Sequence, residues 1–341
     1  MLKRWQFWLG IAISAVFLYL ALRGLHLGEV WNSLKTARYL WLLPGIAVYF
    51  IGVWVRAWRW HYLLRPLKKI STRTMFPIVT IGYMGNNIFP ARAGEVLRAG
   101  ILKDREGVPI SASLATVVVE RIFDAVVMLG FVFFNLGALE NLTHNSGFIG
   151  NIQQLAVWGS IIFIGALVVF LLAAMFPLVT ERIVLKLIER VVPLRFREKT
   201  RGVALKFLTG LESLRSPKDA LMVLFTTVLI WMLETAKYWF VMQGFDFQVS
   251  FFALMLMNGI ANIATTLPSS PGYLGTFDAP IIAVLVAYGV PAEIAAGYAF
   301  VLHAALWIPI TLLGAYYYLR QPLRWGKDLA KIKQNQGTQP A

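Results

Sequence analysis

Hydrophobic side chains gather along this chain in long unbroken runs, at about 5–22, 40–57, 75–90, 111–137, 155–177, 220–242, 251–267, 273–288 and 292–319. A bilayer crossing takes about 20 apolar residues, and most of these runs are of that order. None shows the strict alternation of a lipid-facing β-strand. The pattern predicts an all-α polytopic membrane protein.

Basic residues decide which runs cross. Cytoplasmic loops are enriched in Lys and Arg. Residues 62–74 carry Arg65, Lys68, Lys69 and Arg73 with no acid, and 179–219 carry ten Lys/Arg against five Asp/Glu. The tail from 320 is basic as well, whereas 138–154 and 243–250 contain no Lys or Arg. Placing the basic segments on one side makes 111–137 and 155–177 a single excursion. Segment 75–105 must then enter and leave from the cytoplasm, and 251–288 must do so from the outside. The expectation is about six full transmembrane helices, two re-entrant helical hairpins, and both termini in the cytoplasm of a bacterial-type inner membrane. Loop 24–38 is placed outside despite Lys35 and Arg38. The run 5–22 follows Lys3 and Arg4 but lacks a small-x-small cleavage site, so it reads as an uncleaved first span.

The chain also echoes itself. At an offset of 181, Arg56-Ala57-Trp58 matches Lys237-Tyr238-Trp239 and Pro90-x-x-x-Gly94 matches Pro271-x-x-x-Gly275; Gly107-Val108-Pro109 matches Gly289-Val290-Pro291 one residue further on. With the topology above, halves at about 40–137 and 220–319 run in opposite directions. Residues 1–320 thus read as one transmembrane domain built on an inverted repeat, an architecture that places broken helices near the midplane. Residues 321–341 read as a basic cytoplasmic tail. The segment 179–219 reads as two basic amphipathic helices parted by Pro193, suited to an anionic membrane surface.

Composition agrees: 58% of the 341 residues are hydrophobic and only 14% charged, so the excess of 32 Lys+Arg over 17 Asp+Glu argues for anionic lipid and not for nucleic acid. Cysteine is absent, and neither a phosphate-binding glycine loop nor a metal-ligand spacing occurs. No cofactor or metal is expected, and no ATP-driven step by this chain alone.

Candidate chemistry sits at the breaks. In the first, Asn86 and Asn87 are placed to cap amides, Pro90 suits the first turn of a half-helix, and Arg92, Glu95 and Arg98 share one helix face at i, i+3 and i+6. In the second, Ser269 or Ser270 would cap, Pro271 would follow at the first helical position, Gly272 would permit close approach, and Asp278 would face the cavity one turn on. Free helix N-termini favour anions. Glu120, Arg121 and Asp124 fall within one apolar run and serve either as a clamp to the first hairpin or as substrate contacts, since each isolated charge there costs about 2.5–3.5 kcal/mol. Glu234 and Lys237 read as an internal ion pair, His303 as a hydrogen-bonded core histidine, and Arg56 and Arg59 as interface anchors.

The ordered set Arg59-Trp60-x-x-Leu63-Leu64, Gly85-Asn86-Asn87-x-x-Pro90-x-Arg92-x-Gly94-Glu95-x-x-Arg98, Glu120-Arg121-x-x-Asp124 and Pro268-x-x-Pro271-Gly272-x-x-Gly275 resembles the lysylphosphatidylglycerol synthase transmembrane-region family. That is the flippase-like domain of the multiple peptide resistance factor proteins. The resemblance implies a lipid-handling membrane domain. The chain ends at Ala341 without the family's synthase region, so aminoacyl transfer is not expected of it. The expected function is a flippase or transporter for a phosphate-bearing lipid. The alternatives are an intramembrane lipid-modifying transferase with Glu95, Glu120 or Asp124 as base, and a non-transporting partner of a separate lipid synthase. Expected partners are anionic phospholipids, with a synthase or a second copy of the chain as further candidates.

Overall fold

A computed structural model describes residues 5–89, 92–134, 176–210, 216–266 and 269–320, with scattered positions between 161 and 175. The described residues form twelve α-helices and no strand, as the apolar runs predict. They are α1 Trp5–Leu22, α2 Leu27–Thr36, α3 Leu42–Leu64, α4 Thr72–Ile88, α5 Ala93–Glu106, α6 Ile110–Phe134, α7 Pro177–Val191, α8 Leu194–Gly210, α9 Pro217–Met242, α10 Phe251–Ala264, α11 Asp278–Ala287 and α12 Ala292–Arg320. Short 3₁₀ turns occupy Tyr39–Trp41 and Pro271–Tyr273.

Three of these helical stretches, Tyr39–Leu64, Pro217–Met242 and Ala292–Arg320, are long and apolar enough to cross a membrane. The pair α1–α2 makes a fourth span if it is taken as one helix bent by 86°, so the stretch 24–38 is not a plain loop. α6 has 25 residues but carries Glu120, Arg121 and Asp124. The expected span 155–177, the N-terminal four residues and the tail from 321 lie outside the described residues, apart from the scattered positions noted.

The two expected hairpins are present as helix pairs. α4 and α5 pack against each other, with 17 and 14 residues, and so do α10 and α11, with 14 and 10. At 1.5 Å per residue the longest of these rises about 26 Å, short of about 30 Å of hydrocarbon. α4 and α5 approach closely because Gly82, Gly85 and Gly94 face one another; a Cβ on Gly94 would overlap the Gly82 carbonyl and the Asn86 backbone.

The long helices α3 and α9 run antiparallel over their whole length. Contacts step from Arg38–Asp246 at one end, through Gly45 beside Val241, to Arg59–Thr227 and Arg65–Asp219 at the other. Midway, Gly52 meets Leu233, and these residues are 181 apart, the offset of the sequence echo. The other contacts follow the same exchange. α3 packs on α4 as α9 packs on α10, α5 on α6 as α11 on α12, and α4 on α12 as α10 on α6. Antiparallel contact between equivalent helices is what two oppositely oriented halves produce.

The core divides likewise. One apolar cluster is built mainly from α3–α6 around Val53, Trp60, Met75, Ile101 and Val119, and also takes in Val223 of α9 and Ile310 of α12. A second joins α9–α12 around Met242, Leu254, Ile281, Tyr298 and Leu302. Large apolar side chains such as Leu43, Ile51, Phe225, Phe252 and Leu312 are exposed, as on a lipid-facing surface. α7 and α8 are separated at Pro193 as expected, but α8 packs on α6 and sends Leu208 into the first core cluster, so it is not simply a surface helix.

Candidate functional site between the two breaks

Each break contains one residue that is not glycine yet adopts left-handed backbone: Arg92, at φ 52°, and Tyr273, at φ 61°. They are the two such residues among those described. A bulky side chain at positive φ is unusual, and such strain, of about 1–3 kcal/mol, concentrates at functional sites. Here the two strained residues meet, with the Arg92 guanidinium 6.0 Å from the centre of the Tyr273 ring. Gly272, at φ 77°, completes the turn that presents Tyr273.

Around this meeting point lies a cavity of about 160 Å³. Its wall takes Asn86, Asn87 and Arg92 from the first break and Gly272, Tyr273 and Phe277 from the second. Arg56 of α3, Arg121 of α6, Glu234 and Lys237 of α9, Thr265 beyond α10, and His303 and Trp307 of α12 close it. Arg92 reaches the Thr265 carbonyl and hydroxyl at 3.3 and 3.4 Å and has no carboxylate partner among the described residues.

Behind the cavity the charges form a buried lattice. Arg59 donates to Asp124 at 2.6 Å and to Thr227 at 3.1 Å, and Trp231 donates to the same carboxylate. Arg98 donates to Glu120 at 2.5 Å, with the Arg98 guanidinium 4.6 Å from the Trp60 ring centre. Arg121 joins Glu95 at 2.7 Å and Asp124 at 3.4 Å. Glu234 is shared between Lys237, its neighbour on α9, and Arg56, which donates at 2.8 Å. These ion pairs cross-link α3, α5, α6 and α9 where burial makes an unpaired charge costly.

Several expectations change. Arg56 and Arg59 are not interface anchors: α3 continues to Leu64, which carries both inward, and Arg59 is 1% exposed. Asn87 donates to the Thr311 hydroxyl at 2.8 Å instead of capping the next helix, and the Asn86 side-chain Oδ1 is buried without a partner. Pro90 lies outside the described residues, and α5 starts at Ala93. Glu95 serves Arg121, not Arg92 or Arg98. Ser270 precedes only the three-residue 3₁₀ turn and makes no side-chain cap; Ser269 and Ser270 sit beside the cavity wall and not in it. Asp278 is the first residue of α11, 0% exposed, and faces inward to the Gly275 amide and His303. Glu120, Arg98 and Asp124 stand behind the cavity in the clamp, while Arg121 lines it. The Glu234–Lys237 pair forms as expected, gains Arg56, and lines the cavity.

The sequence did not point to Arg56, Tyr83, Tyr273, Thr265 or Trp307, all of which line the cavity. Arg56 had a signal, since the internal echo aligns it with Lys237 and both converge on Glu234. The others are aromatic or hydroxyl residues in apolar runs with no distinguishing pattern. Away from the cavity, His26, Glu29 and Glu293 bring one ligand atom each within 4.8 Å of one another, a grouping that the sequence did not suggest.

The fold and site define a multi-pass helical membrane protein whose two helical hairpins meet at a basic cavity. The chain belongs to the family described as Lysylphosphatidylglycerol synthase TM region, whose pattern matches residues 7–314. It is similar to a UPF0104 membrane protein of Methanothermobacter thermautotrophicus, 26% identical over 294 residues that cover 81% of this chain and 83% of that one. A UPF0104 membrane protein of Methanocaldococcus jannaschii is 22% identical, over 89% of this chain and 91% of its own. Glycosyltransferase AglD of Haloferax volcanii is 26% identical over 80% of this chain, a match that spans 47% of AglD. No solved structure matches.

Proposed function

We propose that this protein moves a phosphate-bearing lipid between the leaflets of a bacterial-type inner membrane, as a flippase or lipid transporter with cytoplasmic termini. The observation that carries the reading is the contact between Arg92 and Tyr273, where the two breaks meet over one cavity. A headgroup held there lies between two hairpins of opposite orientation, each able to open toward one side. Arg92, free of any carboxylate among the described residues, receives the phosphate, and Arg56, Lys237 and Arg121 extend the cationic wall. Asn86, Asn87 and Gly272 shape the binding space. Arg98, Glu120, Asp124 and Glu95 hold the frame. Ser269, Ser270 and Asp278 fix the second break.

A lipid-modifying transferase fits less well. Glu95, Glu120 and Asp124, the three candidate bases, are each bound to an arginine, and a general base must be free to take a proton. The match to part of AglD favours a second reading, a membrane partner of a separate lipid synthase.

Translocation of headgroup-labelled phospholipid in proteoliposomes separates these readings. The transport reading expects movement with the wild-type protein and at least a tenfold slower rate, on the order of 1.4 kcal/mol, in Arg92→Ala. No movement of any phosphate lipid, together with co-purification of a synthase, would establish the partner reading.

A further inference from the structure

We infer that the cavity selects a doubly charged phosphate monoester headgroup over a singly charged phosphodiester; this rests on the transport reading above. The argument is a count of charge at the site among the described residues. Arg98 closes on Glu120, Arg59 on Asp124, and Arg121 on Glu95. Arg56 and Lys237 share the single carboxylate Glu234, and Arg92 has none. Six cations therefore face four carboxylates, and two positive charges remain. Both belong to the cavity wall, one at Arg92 and one at the Arg56–Lys237 pair.

His303 and Asp278 leave this count unchanged. His303 Nδ1 lies 2.8 Å from the Asp278 carboxylate and Nε2 lies 2.8 Å from the Gly272 carbonyl oxygen. The carbonyl can only accept, so Nε2 carries a proton. The remaining proton lies between Nδ1 and the carboxylate, and the pair is neutral on whichever atom it rests. Arg65–Asp219 and Lys68–Glu106 are closed pairs elsewhere. Tyr49, Tyr83, Tyr238 and Tyr273 also face the cavity, and tyrosine is neutral near pH 7.

Two surplus cations on one cavity wall are compensated by a dianion and only half compensated by a monoanion. Donor supply points the same way. The Arg92 contacts to Thr265 are long at 3.3 and 3.4 Å, so its guanidinium has donors to offer. Three terminal oxygens of a monoester offer more acceptors to the Arg92 guanidinium than the two of a diester.

Binding of short-chain phosphatidic acid and phosphatidylglycerol to the purified protein in phosphatidylcholine nanodiscs tests the inference at pH 5 and pH 8. A phosphate monoester gains its second charge near pH ~6, whereas the phosphodiester does not titrate in this range and so reports any change in the protein itself. The expected result is a preference of about tenfold for phosphatidic acid at pH 8 that collapses at pH 5. Arg92→Ala should abolish the preference with unchanged thermal unfolding, since it strands no buried carboxylate. Equal binding of both lipids at both pH values overturns the inference and leaves the transport reading standing. Binding of neither lipid above the phosphatidylcholine background overturns both. Inorganic phosphate that competes with bound phosphatidic acid as well as added phosphatidic acid does would assign the site to free phosphate and overturn the lipid source.

Discussion

A buried arginine needs a carboxylate or a carbonyl to meet it, and the two cases are met differently here. Arg59, Arg98 and Arg121 each have a carboxylate, whereas Arg92 has only Thr265 and the face of Tyr273. The two kinds of arginine should behave oppositely when removed. Glu120→Ala leaves Arg98 buried and unpaired, and should cost about 3–5 kcal/mol, seen as a large fall in the thermal midpoint in detergent. Replacing the pair together, Arg98→Met with Glu120→Leu, should recover most of that loss. A double variant no more stable than the single one would mean that the pair does not act as a clamp. Arg92→Ala, by contrast, should leave the midpoint within about 0.5 kcal/mol of wild type. At this scale the sequence was legible where charge interrupts apolarity. Glu120, Arg121 and Asp124 stood out because three charges fell in one run. Arg59 was misread because the apolar count stops at 57 while the helix continues to Leu64, its tryptophans and arginines packing inward. Tyr273 carried no signal, because a left-handed tyrosine is set by the turn around it and not by local propensity.

Among the elements, the antiparallel pair α3–α9 carries the architecture, and cysteine is absent from the chain, so its geometry can be tested by cross-linking. A Cβ placed on Gly52 lies 3.9 Å from the Leu233 Cβ, within the roughly 3.5–4.5 Å that a disulfide spans. Gly52→Cys with Leu233→Cys should therefore oxidise to an intramolecular bond and shift mobility on a non-reducing gel. Failure to form it under mild oxidation would contradict the antiparallel contact. The first hairpin rests on smaller residues. Gly94→Val should drive α5 from α4 and sharply reduce folded yield, measured as monodisperse protein after extraction, because the added side chain meets backbone and not a yielding side chain. Both hairpins were legible from length and from the alternation of basic and Lys/Arg-free segments around them. Their internal starts were not: α5 begins at Ala93 and α11 at Asp278, each after a turn whose left-handed residues follow from contact across the two breaks.

For the whole molecule, each half supplies most of one apolar cluster, and the halves share a charged seam with the cavity on it. Apolar patterning reveals the two clusters, because each half repeats the same order of long and short helices. The seam is invisible to it, since Arg56 and Glu234 are 178 residues apart and only the packed fold brings them together. The central claim is that a lipid phosphate is held between the two breaks. A phospholipid with a photoreactive headgroup, cross-linked in native membranes and mapped by mass spectrometry, tests it most directly. The account predicts adducts on both the Asn86–Arg92 and the Gly272–Phe277 peptides, lost together in Arg92→Ala and retained in a variant of the exposed Arg38. Adducts confined to outward apolar faces such as those of Ile51 or Phe252, unaffected by Arg92→Ala, would contradict it.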